Sequence, residues 1–371
     1  MRRFGILGLA IVFMFVCVPA RAQELQNVPM RAVIEEITRT YTDENGHPQE
    51  AFVALGADGN TYRVDTQASL GSGLHFALKP GDAVSLQLLQ NEDGTQTPYF
   101  NDVVRTSPLL LIGLLFAVAT VAIGLTRGML ALLGLIVTVA ILFGFVIPMI
   151  LAGHDAVRVT AGACVAILAI NMHLTHGWKR QTVTAFASTV AGLGLAWLFG
   201  SWSVEFARLS GLTSEEASVL YLEHLNAGVS TAGILLAGIL LGTTGALDDV
   251  AISQGEVVAE LRDANPNLTR TELFVRAMRI GRHHIASIAN TLVLAYAGAS
   301  LPMFLLFRST PGLSFGGFVG TEAVAEEIVR TLSGTIALVL CVPIATWFAV
   351  SFDNRETHGY DGSHPSPRHH H

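Results

Sequence analysis

Two adjacent carboxylates, Asp248 and Asp249, stand where an apolar run turns polar in GTTGALDDVAISQGEVVAE (242–260). Counted from Val229, Asp248 lies roughly 28 Å along a helix, at the edge of the hydrocarbon. Charge at that depth is costly unless water, a partner or a ligand meets it. Two like charges side by side titrate as a coupled pair and suit proton or cation binding. The ordinary alternative is a helix meeting water as it leaves the bilayer. Further along, Ser287, Asn290, Thr291 and Gly298 share one face of an apolar helix, with His283 and His284 below them. Such a stripe faces other helices or a water-filled path rather than lipid.

A third group is Glu322, Glu326, Glu327 and Arg330. Acidic residues in a first turn complement the helix dipole, and Glu326–Arg330 has i,i+4 spacing. The group therefore reads either as a stabilised helix start or as part of an ion path. His173 and His176 end an earlier apolar run, on the same predicted side as Asp248, Asp249, His283 and His284. Imidazoles and carboxylates at one mouth suit a proton relay. His173, His176, Asp249 and His284 would also suit a divalent metal if the fold brought them together. Gly238, Gly242 and Gly245 read as helix-packing positions, the first two forming G-x-x-x-G.

These residues must be carried by a membrane protein. Of 371 residues 51% are hydrophobic and only 14% charged, where soluble domains carry about 25% charged residues. Seven apolar runs are each near the crossing length of about 20 residues: 108–125, 129–151, 156–176, 182–200, 228–247, 284–307 and 326–350. Residues 250–283 read as a cytoplasmic segment of two helices, broken at Asp263-Ala264-Asn265-Pro266-Asn267, with Thr269 and Glu272 as a capping box. The loop before the fifth run is amphipathic, with Leu212, Val219, Leu220 and Leu222 suited to a membrane surface.

Residues 1–22 have a basic start, an apolar run and an Ala-Arg-Ala end, as in a secretory signal; an uncleaved first helix is the alternative. Both readings send residues 23–107 outward. That region alternates between short β-rich runs and the turns Asn45-Gly46, Asp58-Gly59 and Asp93-Gly94, which predicts about five strands in a small barrel or sandwich, OB-like in size. It carries 12 acidic and 5 basic residues, which argues against a nucleic-acid partner. With this domain outside, ten cationic residues fall on inner segments and four on outer ones (Arg105, Arg158, Arg208 and Arg308), in the direction of the positive-inside rule. Residues 353–371 read as a cytoplasmic tail ending in a tag-like HPSPRHHH.

GALDDVAISQ (245–254), RIGRHHIASIANTLVLAYAGASLP (279–302) and AEEIVRTLSG (325–334) resemble the YibE/F-like family of bacterial multipass membrane proteins. The resemblance implies a polytopic inner-membrane protein. It places Asp249 at the family's aspartate, Asn290, Thr291 and Tyr296 in its N-T-L-x-L-A-Y pattern, and Glu326, Glu327 and Arg330 in its last motif. Relatives of this branch usually carry aspartate where this chain has His283, so a mechanism needing a carboxylate there is in doubt.

No nucleotide loop, nucleophile elbow, zinc-protease helix or Cys-x-x-Cys pair occurs, so neither an enzyme nor a cofactor is indicated. Cys17, Cys164 and Cys341 are far apart in apolar runs and define no disulfide framework. The residues point to a mainly α, polytopic transmembrane bundle with an N-terminal all-β domain. The leading function is a transporter or permease for a small solute or ion, coupled through Asp248 and Asp249. The alternative is a membrane anchor or sensor whose β domain binds a partner outside the cell. The lipid bilayer is the partner both readings require, and both allow a homo-oligomer.

Overall fold

The computed structural model describes residues 30–42, 48–68, 77–90, 96–223, 229–312 and 314–352. The expected signal segment, the Asn45-Gly46 and Asp93-Gly94 turns, and the tail from 353 onward lie outside them. The chain divides into two compact units at Leu125.

In the first unit, β1 (Met30–Thr42), β2 (Pro48–Gly56), β3 (Thr61–Asp65), β4 (Ala83–Gln90) and β5 (Gln96–Val103) form one antiparallel sheet, ordered β3-β2-β1-β4-β5. Alternate residues point inward, as the period of two requires. Ala32, Ile34, Phe52, Ala54, Val64, Val84, Leu86 and Phe100 make the core, and Phe52 meets Phe100 edge-to-face with ring centroids 6.1 Å apart. Register shifts at Ile34/Glu36 and Ile37/Arg39 bend β1. The sheet curls so that the edge strands β3 and β5 approach each other, giving a half-barrel. The expected turn at Asp58-Gly59 is present. Gly59 takes φ 83°, and Asp58 accepts hydrogen bonds from the Asn60 amide at 3.1 Å and the Tyr62 hydroxyl at 2.6 Å.

Helix α1 (Thr106–Leu151) has 46 residues, about twice what one crossing needs. Leu125, at φ 51° and ψ −130°, interrupts it where the sequence predicts the first two spans to part.

The second unit continues with α2 (Ala156–His176), α3 (Arg180–Phe206), α4 (Glu215–Glu223), α5 (Thr231–Ala264), α6 (Arg270–Ala299), α7 (Leu301–Ser309), α8 (Phe315–Val319) and α9 (Glu322–Ser351). Among the described residues, five helices are long and apolar enough to cross a membrane, or six if the bent pair α6 and α7 counts as one span. Helices α3, α5 and α9 pack together at the centre, with α2 against α5 and α6 against α9. Their shared core holds Leu193, Ala196, Leu240, Leu247, Leu338 and Cys341. Gly192 lets α3 come close, since a β-carbon there would stand 2.8 Å from Leu247 and 3.2 Å from the Cys341 sulfur.

The segment 250–283 differs from its expected form. The break at 265–269 is present, and the Thr269–Glu272 capping box forms. The helices on either side are not separate, however: α5 runs unbroken from 231 to 264, and α6 from 270 to 299. The expected span 284–307 is not one helix either. It bends by 61° between α6 and α7. Pro302, which cannot donate to the turn before it, sits at the start of α7. In the amphipathic loop Val219 and Leu222 are exposed.

Candidate functional site

The site grows from the first turns of α9. Glu322 accepts the Ser210 amide, and the Thr213 hydroxyl donates to Glu326 Oε2 at 2.7 Å. The Thr231 hydroxyl, at the start of α5, donates to the Ser210 carbonyl at 2.6 Å. Gly211, at φ 75°, passes so close to the Thr231 backbone that no side chain would fit. The chain after α3 is thus tied to the starts of both α5 and α9. Glu326 is 6% exposed, and among the described residues its Oε1 has no hydrogen-bond partner.

The expected Glu326–Arg330 pair is not formed. Glu326 turns to Thr213, and Arg330 Nε faces Glu327 Oε1 at 3.5 Å, an ion pair without hydrogen-bond geometry. Both partners are about a quarter exposed. Residues three and four apart are both neighbours on a helix, so tertiary contacts decide between them. Here the Thr213 hydroxyl claims one acid and leaves the other to the arginine.

Arg330 then reaches across to α5. Its Nη1 lies 2.9 Å from where a β-carbon on Gly238 would stand. One turn on, the Tyr296 hydroxyl occupies the equivalent space at Gly242. The G-x-x-x-G motif therefore admits two polar side-chain tips. The expectation that Gly245 also packs is not met, as a β-carbon there would meet nothing within 4 Å. A cleft of about 200 Å³ opens beside this group, bordered by Tyr296, Phe304, Glu327 and Thr331.

The other expected residues are placed differently. Asp248 is half-buried and Asp249 exposed. Consecutive helical residues point in different directions, so the two carboxylates meet different surroundings. His283, His284, Ser287, Asn290 and Thr291 are all exposed. The Thr291 hydroxyl is satisfied within its helix by the Ser287 carbonyl at 3.0 Å. The stripe looks away from the bundle because the opposite face, with Leu273, Ala277, Gly281, Ile285 and Ile288, makes the packing contact. His173 Nδ1 lies 2.8 Å from the Ala169 carbonyl, and its ring lies against Trp178. His176 faces a separate cavity with Arg127 and Glu256. The metal expectation is not supported, since no group of three or more histidine, cysteine, aspartate or glutamate side chains converges among the described residues.

Tyr296 and Thr213 complete the site but were not among the residues singled out for it. Tyr296 had a signal, since it lies in the family pattern. Thr213 had none, because its partner is 113 residues away.

A family model described as YibE/F-like protein matches residues 112–355. The chain belongs to the YibE/F-like family. The matched stretch of this YibE/F-like chain takes in α2 to α9 and most of α1, and so every residue of the site. Comparison with curated proteins and with solved structures found no match.

Proposed function

We propose that this YibE/F-like chain is a membrane transporter or permease for a small solute or ion. One observation carries the reading. Arg330 and Tyr296 meet the glycine face of α5, with Glu327 paired to Arg330, beside an open cleft. Ionisable groups held at membrane depth are costly, and their usual employment is a substrate or ion pathway. The bend between α6 and α7 lies next to the cleft, since Phe304 of α7 borders it. Interrupted helices beside polar groups are a common transporter arrangement. Asp248, further along α5, is available to a coupling proton or cation.

The topology that goes with this reading has seven crossings in a bacterial plasma membrane, with α1 counted as two about Leu125 and α6 with α7 as one. A secretory signal at 1–22 and the bias of cationic residues put the β unit outside and the C-terminus in the cytoplasm.

Proteoliposomes reporting internal pH and a panel of ion fluxes test the proposal. Flux that falls at least tenfold in Arg330→Gln, and survives removal of residues 23–107, supports it. If the panel gives no flux, the ion form of the reading fails, and if flux in Arg330→Gln matches wild type, the site is not the path. Absence of flux favours the anchor or sensor alternative.

A further inference from the structure

At the junction of α2 and α3, away from the site above, two cavities of about 370 and 120 Å³ share Lys179 and Gln181 as walls. The larger is lined by Lys179, Arg180 and Arg262 and, among the described residues, has no acidic residue in its wall. The smaller adds Arg127 and His176, with Glu256 as its one carboxylate among the described residues. Cations thus arrive from α1, α5 and the turn into α3. Arg262 is 3% exposed and held in the wall, donating through Nη1 to the carbonyls of Pro266 at 3.0 Å and Leu268 at 2.5 Å. Among the described residues no carboxylate lies within ion-pair distance of Arg127, Lys179 or Arg180.

The start of α3 adds donors. Lys179 is its N-cap and provides no side-chain acceptor for the first amides. Those amides carry partial positive charge and want an acceptor. An independent observation points the same way. Thr182 lines the smaller cavity, is 2% exposed, and among the described residues its hydroxyl has no hydrogen-bond partner. A hydroxyl that opens on a cavity without a protein partner is a donor for an acceptor that enters it. Basic residues placed only to anchor a helix end at the membrane surface would need neither the cavities nor that hydroxyl.

We propose that these cavities form one binding site for a phosphate-bearing anion. Lys179, Arg180 and Arg127 supply the charge, and Thr182 with the first α3 amides supplies the hydrogen bonds. Phosphate at a helix start among cations is a recurrent pairing. The anion is either a phospholipid headgroup or a soluble phosphate.

The full chain in phosphate-free maltoside micelles is the test material. Its thermal midpoint would be followed against inorganic phosphate and, separately, phosphatidylglycerol, with sodium chloride matched for ionic strength. At least one probe should raise the midpoint saturably, and its apparent Kd should rise at least tenfold in Lys179→Gln/Arg180→Gln. Both substitutions fall on exposed side chains, so the fold should survive them. Arg127→Gln should weaken binding severalfold, and Thr182→Val should do so without lowering the probe-free midpoint. A response to phosphatidylglycerol alone assigns a lipid headgroup, and a response to inorganic phosphate assigns a soluble anion. The proposal is overturned if neither probe exceeds the chloride control in wild type. It is equally overturned if the Lys179→Gln/Arg180→Gln response matches wild type.

Discussion

The guanidinium of Arg330 rests on Gly238, with Nη1 2.9 Å from the position of a β-carbon on that glycine. Tyr296 meets Gly242 in the same way one turn along α5. Two glycines thus make the room that two polar groups occupy. This relationship separates function from stability in a testable way. Alanine at 238 is a better helix former than glycine by roughly 1 kcal/mol, and the only atom in its way is the end of a flexible side chain. Gly238→Ala should therefore unfold within about 1 kcal/mol of wild type while flux falls, because Arg330 is displaced. Parallel thermal unfolding and flux measurements check this. Stability and flux that fall together would make the glycine a packing residue.

The Thr213–Glu326 hydrogen bond should stabilise the junction between the α3–α5 loop and α9. Glu326 is buried and already has one oxygen without a partner. Thr213→Val would orphan the other, at about 1–3 kcal/mol. Glu326→Gln keeps an acceptor for Thr213 and should cost less. A double-mutant cycle with Thr213→Val and Glu326→Leu, read by thermal unfolding, isolates the pair. A coupling energy near zero would show that the loop is held by Glu322 and Thr231 alone.

Much of this architecture was legible because the signals are local. Apolar runs of crossing length marked the long apolar helices, Asp58-Gly59 marked a turn, and Thr269 with Glu272 marked a helix start. Pro302 was a local signal too, and reading it would have placed the bend before α7. The site was less legible because its contacts are not local. Glu326 had an obvious partner in Arg330 by spacing and found Thr213 instead. On α6 the polar face was conspicuous in sequence, yet the apolar face of the same helix made the contact. Gly238 and Gly242 read in sequence as helix-packing positions, and nothing there says that the tips of Arg330 and Tyr296 take up the space.

The placement of α6 makes its own prediction. Asn290 is exposed and outside the cluster around Arg330. Asn290→Leu should leave thermal stability within about 0.5 kcal/mol of wild type, as exposed substitutions usually do, and should leave flux intact. A large loss of flux would mean that the polar face of α6 is covered in the working protein, by another copy or by the transported species.

Acid should weaken the β unit through Asp58. The Tyr62 hydroxyl, donating at 2.6 Å, holds the Asp58 carboxyl below its ordinary value, with help from Asn60. A lowered folded-state pKa contributes stability that is fully present above the unfolded value, near 4, and is lost as pH falls through the folded value. Hydrogen exchange at β2 and β3, corrected for intrinsic rates, should therefore accelerate as pH falls below about 4. Tyr62→Phe should exchange faster at neutral pH and show a shallower acid dependence. Identical acid dependence in the two proteins would remove Asp58 as the cause.

Asn171 links α2 to α1 and poses the last test. Its Nδ2 donates to Thr138 Oγ1 at 3.0 Å, and Thr138 in turn donates to the Gly134 carbonyl at 2.9 Å. Its Oδ1 is buried without a partner among the described residues, 2.9 Å from where a β-carbon on Gly134 would stand. Hydrogen bonds between membrane helices average about 0.6 kcal/mol, which is less than the usual cost of an unsatisfied buried carbonyl, about 1–3 kcal/mol. Removing the whole carboxamide should therefore do little harm. Asn171→Leu is expected to be neutral or stabilising in thermal unfolding, and Gly134→Ala destabilising because its methyl meets Oδ1. Strong destabilisation by Asn171→Leu would mean that Oδ1 has a partner in the membrane, such as water held between α1 and α2.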